Sequence, residues 1–512
     1  MSEDKLKVLL ELRPALEGFA GIPQETRLLF RGLCDIDNVE LEGLLIPPFR
    51  RLARGTTEGL LQRRLSQARK INRYSRVVVS LSEAPFSSLL DALFDYFVRR
   101  SETARLTLSN LLGLSRMKLS NFETRYFEDF VWRTLFSKTL AASDFKLVTS
   151  KNHKICSVGW DSQQTAGLFT LTFSRYPTFP RLDTREFDIF LAQTPYPARV
   201  SRNTTMVVRY HDAIPIFMPH TINSKKKHQA HHFYSLMGNV RSGAHFACVS
   251  EASRQALLSV FPEAERRSVT IHNMVSHHYF REESLAERVP QIIRTRLDRQ
   301  SESTVPKFLT LRETELFYRR VLGERPFRYV LAVSTVEPRK NHARLLAAWE
   351  HIQAEVDPEL KLVVVGGLGW EFETIMRGFR SAIDQGRAFF TNSVPAADLR
   401  VLYRHALATV CPSLGEGFDY SGVEAMCSGG VVVASDINTH REVYDDAAEY
   451  FDPYSTASAV TALKRVLYGA DAARRREELM AAGARVSGRY LPAVLLPKWR
   501  DFLDRVARER KV

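Results

Sequence analysis

Two glutamates eight positions apart, Glu416 and Glu424, stand in the stretch Pro412–Thr439, PSLGEGFDYSGVEAMCSGGVVVASDINT. A carboxylate accepts hydrogen bonds from two hydroxyls at once, so the residue type suits sugar diols. The surroundings say where such groups would sit. Ala406–Cys411 before the stretch is a short apolar run that reads as a buried parallel strand. A loop with Gly415 and Gly417 follows, then a short helix around Ser421–Cys427, a Gly429-Gly430 stop and a second apolar strand, Val431–Ser435. Strand, loop, helix and strand make the unit of an open parallel sheet, whose ligands sit at the carboxyl ends of the strands. A loop that opens onto a helix start also offers free N–H groups and a positive dipole end, which suit a phosphate. Two carboxylates there would repel an anion unless each faces sugar hydroxyls instead. Ser421-x-x-Glu424 also fits a capping box, in which Glu424 would only satisfy the helix N-terminus.

Cations form the second constellation. Phe327–Ser334 reads as a strand, and Thr335-Val-Glu-Pro338-Arg339-Lys340-Asn341-His342 leads into an amphipathic helix with Leu345, Leu346, Trp349 and Ile352 on one face. Pro338 suits a first helical turn. Arg339 and Lys340 do not, because the positive dipole end disfavours each by a few tenths of a kcal/mol, roughly. A bound pyrophosphate would reverse that sign, and locally unfavourable choices often mark function. A third candidate is His211, at the carboxyl end of the strand Met206–Tyr210, where it can reach a ligand or simply be structural. Near the start, the strand Lys7–Leu12, a Gly18–Gly21 loop and the helix Gln24–Leu33 offer another approach of backbone to phosphate or sugar, or a plain tight turn.

At these residues the chain resembles glycosyltransferase family 4, the retaining nucleotide-sugar transferases of the GT-B fold. The family pattern EGFGLPxxEAMxxGxPVVAS stands here as EGFDYSGVEAMCSGGVVVAS, from Glu416 to Ser435. VSTVEPRKNHARLL looks like the family's VGTxEPRKN block, VVRYHDAIPIFMPH like its strand-HD-x-x-P segment, and LELRPALEGFAGIPQETRLLFRGL like its opening. The resemblance covers roughly Lys7–Ile46 and most of Phe187–Asp452. It implies two doubly wound Rossmann-like α/β domains facing across a cleft, with the donor in the second and the acceptor against the first. It also implies roles. Arg339 and Lys340 would bind the donor diphosphate, and Glu424 the ribose. Glu416 and His211 would be the catalytic residues at the donor sugar. Gly21 would face the donor from the first domain, and Val394 would end a strand that contacts the base. Thr335 stands where many relatives carry Arg, which leaves more of the phosphate task to its neighbours. Asp419 replaces a usual Gly and Ser421-Gly422 a Pro-led pair, so Asp419, Tyr420 and Ser421 alter the loop nearest the donor sugar. The family needs no metal and no cofactor, since the nucleotide-sugar is a substrate. The EPRKN variant resembles bacterial polysaccharide mannosyltransferases, which makes GDP-mannose the first expectation and a UDP- or dTDP-sugar the alternative. A catalytically silent GT-B accessory subunit is a further alternative.

Composition bounds these readings. A chain of 512 residues with 45% hydrophobic content suggests two large domains with ample cores. Its five scattered cysteines show no metal-ligand spacing, which points to a reducing cytoplasm. The charged N-terminus does not read as a signal peptide, and no apolar run reaches a bilayer span. The net charge of +14 invites acidic partners, but no nucleic-acid module is present in the pattern. The layout expected is a first domain over 1–305 with a helical insertion at about 85–145, a linker at 306–326, a second domain over 327–486, and a final helix at 487–512 that returns to the first domain. Within the first domain, Arg50–Arg76 is strongly basic and Pro85–Leu140 is rich in aromatics. Together they read either as an ordinary surface beside a helical subdomain or as a peripheral face for an anionic membrane carrying a lipid-linked saccharide acceptor. Val77–Leu81 and Leu168–Phe173 read as strands, Lys225–His232 as a basic loop, and Thr439-x-x-Glu442 as a second capping box.

Overall fold

The computed structural model describes residues 5–18, 21–47, 52–56, 66–81, 88–323 and 325–511. Arg50, Arg51, Arg63, Arg64 and Pro85 of the expected membrane face lie outside the described residues, as do Phe19 and Ala20 of the glycine loop. The first sheet runs Ser268–Thr270, His245–Cys248, Thr205–Tyr210, Ile189–Ala192, Leu6–Glu11, Val39–Leu45, His153–Cys156, Leu119–Phe122. Leu119–Phe122 is antiparallel to its neighbour, and the other pairs are parallel. Strands buried on both faces need near-continuous apolar runs, which LKVLLE and TMVVRY supply. Val8, Leu10, Leu191 and Val207 pack on one face, and Leu9, Phe190 and Val208 on the other.

The second sheet is all parallel: Ala388–Thr391, Lys361–Val365, Tyr329–Val333, Ala408–Cys411, Val432–Ser435, Ala448–Phe451. In each sheet the strand order reverses beside one strand, Leu6–Glu11 in the first and Tyr329–Val333 in the second. Such switch points open crevices at the carboxyl ends of strands. The two crevices face each other. The final helix, Pro492–Lys511, packs on the first domain: Asn38 Nδ2 donates to Asp504 at 2.9 Å, and the Arg209 guanidinium lies 5.2 Å from the Trp499 ring centre.

Several expectations are corrected. Val77–Leu81 is not a strand but the end of the helix Gln67–Leu81, because Tyr74, Val77 and Leu81 recur on one helical face and are all buried. Packing here overrides the strand preference of a Val-Val-Val run. Leu168–Phe173 is the end of the helix Trp160–Phe169 and a tight turn, Thr170–Thr172. The Thr170 hydroxyl donates to the Gly167 carbonyl at 2.6 Å and fixes that turn. Lys225–His232 opens the helix Lys225–Arg241, with His231 buried, rather than forming a loop. The 306–326 linker contains the helix Leu311–Leu322, started by a capping box at Thr310 and Glu313. The insertion is helical only in part. After the helix Leu89–Leu111 the chain re-enters the sheet at Leu119–Phe122, and Phe122 and Phe136 belong to the core with Tyr126 half-buried against them. No helix among the described residues is long and apolar enough to cross a membrane.

Candidate active site

A cavity of about 470 Å³ lies between the carboxyl ends of the two sheets. Gly21, His211, Thr335, Arg339, Lys340, Glu416, Asp419, Tyr420, Ser421 and Glu424 line it. Val394 does not. It follows the edge strand Ala388–Thr391 of the second sheet and lies half-buried against the core. A larger cavity of about 570 Å³ beside Arg31, Asp144 and Pro492 holds none of these residues.

The cations come from a turn. Pro338–Lys340 is one turn of 3-10 helix, and Asn341, at φ 56°, separates it from the helix His342–Glu355. Arg339 and Lys340 therefore precede the helix instead of occupying its first turn, which corrects the dipole argument made above. Their charge is met by carboxylates. Lys340 Nζ lies 2.6 Å and Arg339 Nη1 2.8 Å from the two oxygens of Glu416, and Arg339 Nη2 lies 2.8 Å from Glu337. Arg339 also donates to the Gly415 carbonyl at 2.7 Å, so the turn and the glycine loop hold each other. Burial alone would raise the Glu416 carboxyl, but Arg339 and Lys340 outweigh it and hold it below its ordinary value.

The motif helix Tyr420–Cys427 is capped by Asp419, which accepts from the Ser421 backbone N–H at 3.2 Å and from the Ser421 hydroxyl at 2.6 Å. Asp419 faces His440 Nε2 at 3.2 Å. Its pKa is lowered because hydrogen bonds and neighbouring positive charge from His440 and Lys340 overcome burial. Asp419 thus takes the capping task that a Ser421–Glu424 box would have had. Glu424 is left to point into the cavity wall, where its two oxygens accept from Gln24 Nε2 at 2.8 Å and from the Tyr403 hydroxyl at 3.1 Å. It is 4% exposed, and burial pushes its carboxyl up to about 7.

The second capping box is also corrected. Glu442 caps no turn of its own helix. It accepts from the backbone N–H groups of Glu251 and Ala252 at 2.6 and 2.8 Å and lies 2.8 Å from His272 Nε2. It therefore caps the helix Glu251–Val260 of the opposite domain, together with Ser250, which accepts from Ser253 N–H.

From the first domain, His211 reaches the cavity at the end of its strand. It is buried and kept neutral, with its pKa lowered to about 3 by desolvation and by nearby Arg209. Among the described residues His211 Nε2 has no hydrogen-bond partner. Gly417 permits the loop to touch this strand end, since a Cβ there would lie 2.1 Å from the His211 carbonyl oxygen. The opening helix, Ile22–Leu33, starts at Gly21 with φ 70°. Its Glu25 makes a fully buried ion pair with Arg209 at 2.9 Å and accepts from the Tyr420 hydroxyl at 2.8 Å. Arg209 also donates to the Ile271 carbonyl and to Asn273 at 2.6 and 2.7 Å, which satisfies the buried guanidinium. Trp370 Nε1 donates across the cleft to the Thr221 carbonyl at 2.8 Å.

Gln24, Glu25, Arg209, Trp370 and His440 were missed from sequence. Arg209 carried a signal, because a cation inside the apolar run MVVRY requires a buried acid. Gln24 carried none, since its partner is 400 residues away. The site as built offers two cations balanced by the carboxylates of Glu416 and Glu337, a neutral imidazole with a free nitrogen, and a further buried carboxylate in Glu424, all around one space.

Residues 317–483 match the family model of glycosyl transferases group 1. O-antigen chain mannosyltransferase B of Escherichia coli is 35% identical over 125 residues, which is 24% of this chain and 33% of that one. O-antigen chain mannosyltransferase RfbU of Salmonella typhimurium is 36% identical over 92 residues, 18% of this chain and 26% of that one. The chain thus spans a third or less of the length of these curated relatives. Among solved structures, a variant of S. aureus TarM, in complex with fondaparinux, alpha-GlcNAc-glycerol and UDP, aligns with a TM-score of 0.53 at 12% identity, over 97% of this chain and 99% of that one. Sucrose-phosphate synthase from Thermosynechococcus elongatus aligns with a TM-score of 0.52 at 14% identity, over 98% and 99%. The chain therefore carries a glycosyl transferases group 1 domain in residues 317–483, set within a two-domain GT-B fold.

Proposed function

We propose that this protein is a retaining glycosyltransferase that moves a sugar from a nucleotide-sugar onto a saccharide acceptor in surface polysaccharide synthesis. The observation that carries this reading is the cluster of Arg339, Lys340 and Glu416 on one wall of the cavity, with neutral His211 on the other. Transfer breaks the bond between the sugar's C1 and the diphosphate oxygen while the acceptor hydroxyl oxygen bonds to C1 on the face the diphosphate leaves, and the hydroxyl's proton passes to the departing diphosphate oxygen. Negative charge grows on the leaving diphosphate, and Arg339 and Lys340 are fixed in advance to meet it. Glu416 keeps both cations in place and accepts from the sugar's hydroxyls. His211 Nε2 contacts the same sugar from the first domain, and Glu424 accepts from the ribose. No metal or cofactor is called for in this scheme.

GDP-mannose is the donor we infer, with the O-antigen mannosyltransferase relatives as support. The acceptor is a glycan or lipid-linked saccharide held against the first domain. A cytoplasmic protein would meet a lipid-linked acceptor at the inner face of the membrane. Exposed Leu90, Leu93, Phe94 and Phe97 on the helix Leu89–Leu111 support such a meeting. Incubation with GDP-mannose, UDP-sugars and dTDP-sugars, with and without an acceptor saccharide, tests the reading through release of nucleoside diphosphate. Retention is read from the anomeric coupling of the product. Absence of release from every donor would favour the accessory-subunit alternative, and an inverted product would overturn the retaining assignment.

A further inference from the structure

We propose that Gln24 is a displaceable plug in the nucleotide site, occupying the carboxylate that the donor's ribose must use. The proposal rests on the reading of Glu424 as the ribose acceptor given above. Both oxygens of Glu424 are engaged: Oε1 accepts from Gln24 Nε2 at 2.8 Å, and Oε2 from the Tyr403 hydroxyl at 3.1 Å. The Tyr279 hydroxyl also hydrogen-bonds this carboxylate, and the donors differ in kind. Tyr403 lies on the helix Ala396–His405 of the same domain, and its ring is wholly buried, so it stays with Glu424. Gln24 belongs to the other domain and sits in the first turn of the opening helix, at the cavity wall.

Glu424 is 4% exposed and Gln24 6%, so no hydroxyl can reach Oε1 while the amide is there. The amide N–H donates to the oxygen that one ribose hydroxyl would otherwise contact, and so stands in for it. The neighbouring residue marks how local the movement is. Glu25 is held on both sides, by Arg209 at 2.9 Å and by the Tyr420 hydroxyl at 2.8 Å. The opening helix is therefore anchored one residue away, and the side chain of Gln24 can swing without the helix leaving its place. Empty, the site keeps its buried carboxylate hydrogen-bonded. Occupied, the ribose takes over, and the freed amide remains at the cavity wall beside the nucleotide. Gln24 acts here as a positioning residue that competes with the ligand's diol.

Equilibrium binding to purified full-length protein tests this, with GDP, UDP and dTDP tried first to find the nucleotide that binds. Gln24→Ala should tighten that nucleotide on the order of tenfold, because one hydrogen bond to a carboxylate no longer has to be broken. The 2′,3′-dideoxy form of the same nucleotide has no hydroxyls to offer Glu424, so wild type and Gln24→Ala should bind it equally. A merely structural Gln24 would lower the thermal midpoint without this hydroxyl-dependent gain. Unchanged or weaker binding in Gln24→Ala overturns the plug, and so does equal tightening of the normal and dideoxy forms. If none of the nucleotides binds any variant, the donor-site reading itself falls and the plug with it. Binding that Lys340→Ala weakens but Gln24→Ala leaves unchanged removes the plug alone.

Discussion

Among the described residues Lys340 pairs with one carboxylate oxygen, at 2.6 Å, while Arg339 is shared among Glu416, Glu337 and the Gly415 carbonyl. Removing Lys340 should thus leave the loop standing while halving the positive charge available to the leaving group. Lys340→Ala is expected to lower sugar transfer by about 10²-fold, the scale for loss of one electrostatic stabiliser. Unchanged turnover in a folded variant would refute the phosphate role. Glu424 supports a prediction in pH. Its folded pKa, about 7, is above the ordinary 4.5, so the native state holds a proton that the unfolded chain has lost. Stability must then fall as pH rises from near 4.5 to near 7, by roughly 3 kcal/mol at most for this one group. Glu424→Gln keeps the shape without the titration. The difference in thermal midpoint between wild type and Glu424→Gln should widen in favour of Gln between pH 5 and pH 8, and nucleotide affinity should drop in the variant at both pH values. A constant difference would mean that Glu424 does not titrate in this window.

Two elements carry predictions of their own. The glycine loop touches the strand end of the other domain so closely that a methyl group at Gly417 would meet the His211 carbonyl at 2.1 Å, a backbone atom that cannot step aside. Gly417→Ala should therefore push loop and strand apart and abolish transfer, whereas Gly113→Ala, where no atom lies within 4 Å but φ is 69°, should cost about 1 kcal/mol of stability and leave transfer intact. Equal activity in the two variants would show that the close contact is dispensable. The helix Leu89–Leu111 is the other case. Its outer stripe leaves Leu90 76%, Phe94 72% and Phe97 66% exposed. The basic helix Gln67–Leu81, however, packs through Tyr74, Val77 and Leu81 on one face of the sheet, while Leu106 of the outer helix packs on the other. The expected coincidence of basic and aromatic surface is thus weaker than the chain order suggested, and apolar insertion carries more of the proposed membrane contact than charge does. Vesicles of anionic phosphatidylglycerol should co-sediment with wild type, and Leu93→Asp combined with Phe94→Asp should abolish this. Binding that survives those changes, or that disappears entirely at high salt, would return the task to the basic residues.

At the scale of the whole molecule, the domains meet through named bonds rather than through a linker alone. Gln24 to Glu424, Tyr420 to Glu25, Trp370 to the Thr221 carbonyl, and Glu442 to the helix start at Glu251 all cross the cleft. A salt bridge between Lys225 and Glu371, at 2.8 Å, adds to them. Strands such as Leu6–Glu11, Thr205–Tyr210, Tyr329–Val333, Ala408–Cys411 and Val432–Ser435 were legible in the chain because buried parallel strands are often continuously apolar. The cavity-lining loops were legible because strand ends, glycines and carboxylates are spaced along one stretch of chain. Val39–Leu45, Leu119–Phe122, His153–Cys156 and Ala448–Phe451 were not expected as strands. Strand identity failed at Val77–Leu81, where burial periodicity beat local propensity, and at Leu168–Phe173, where a helix simply ran on. What the order of residues determined was therefore the continuously apolar strands and the residue types standing at their carboxyl ends. What only the tertiary structure decided was partnership across 76 residues between Lys340 and Glu416, or 400 between Gln24 and Glu424. It turned Glu442 from a local cap into a cap for another domain and gave the motif helix to Asp419. The reason is physical: a side chain's hydrogen bonds follow distance in space, and spacing along the chain constrains that distance only within one helix turn or one loop.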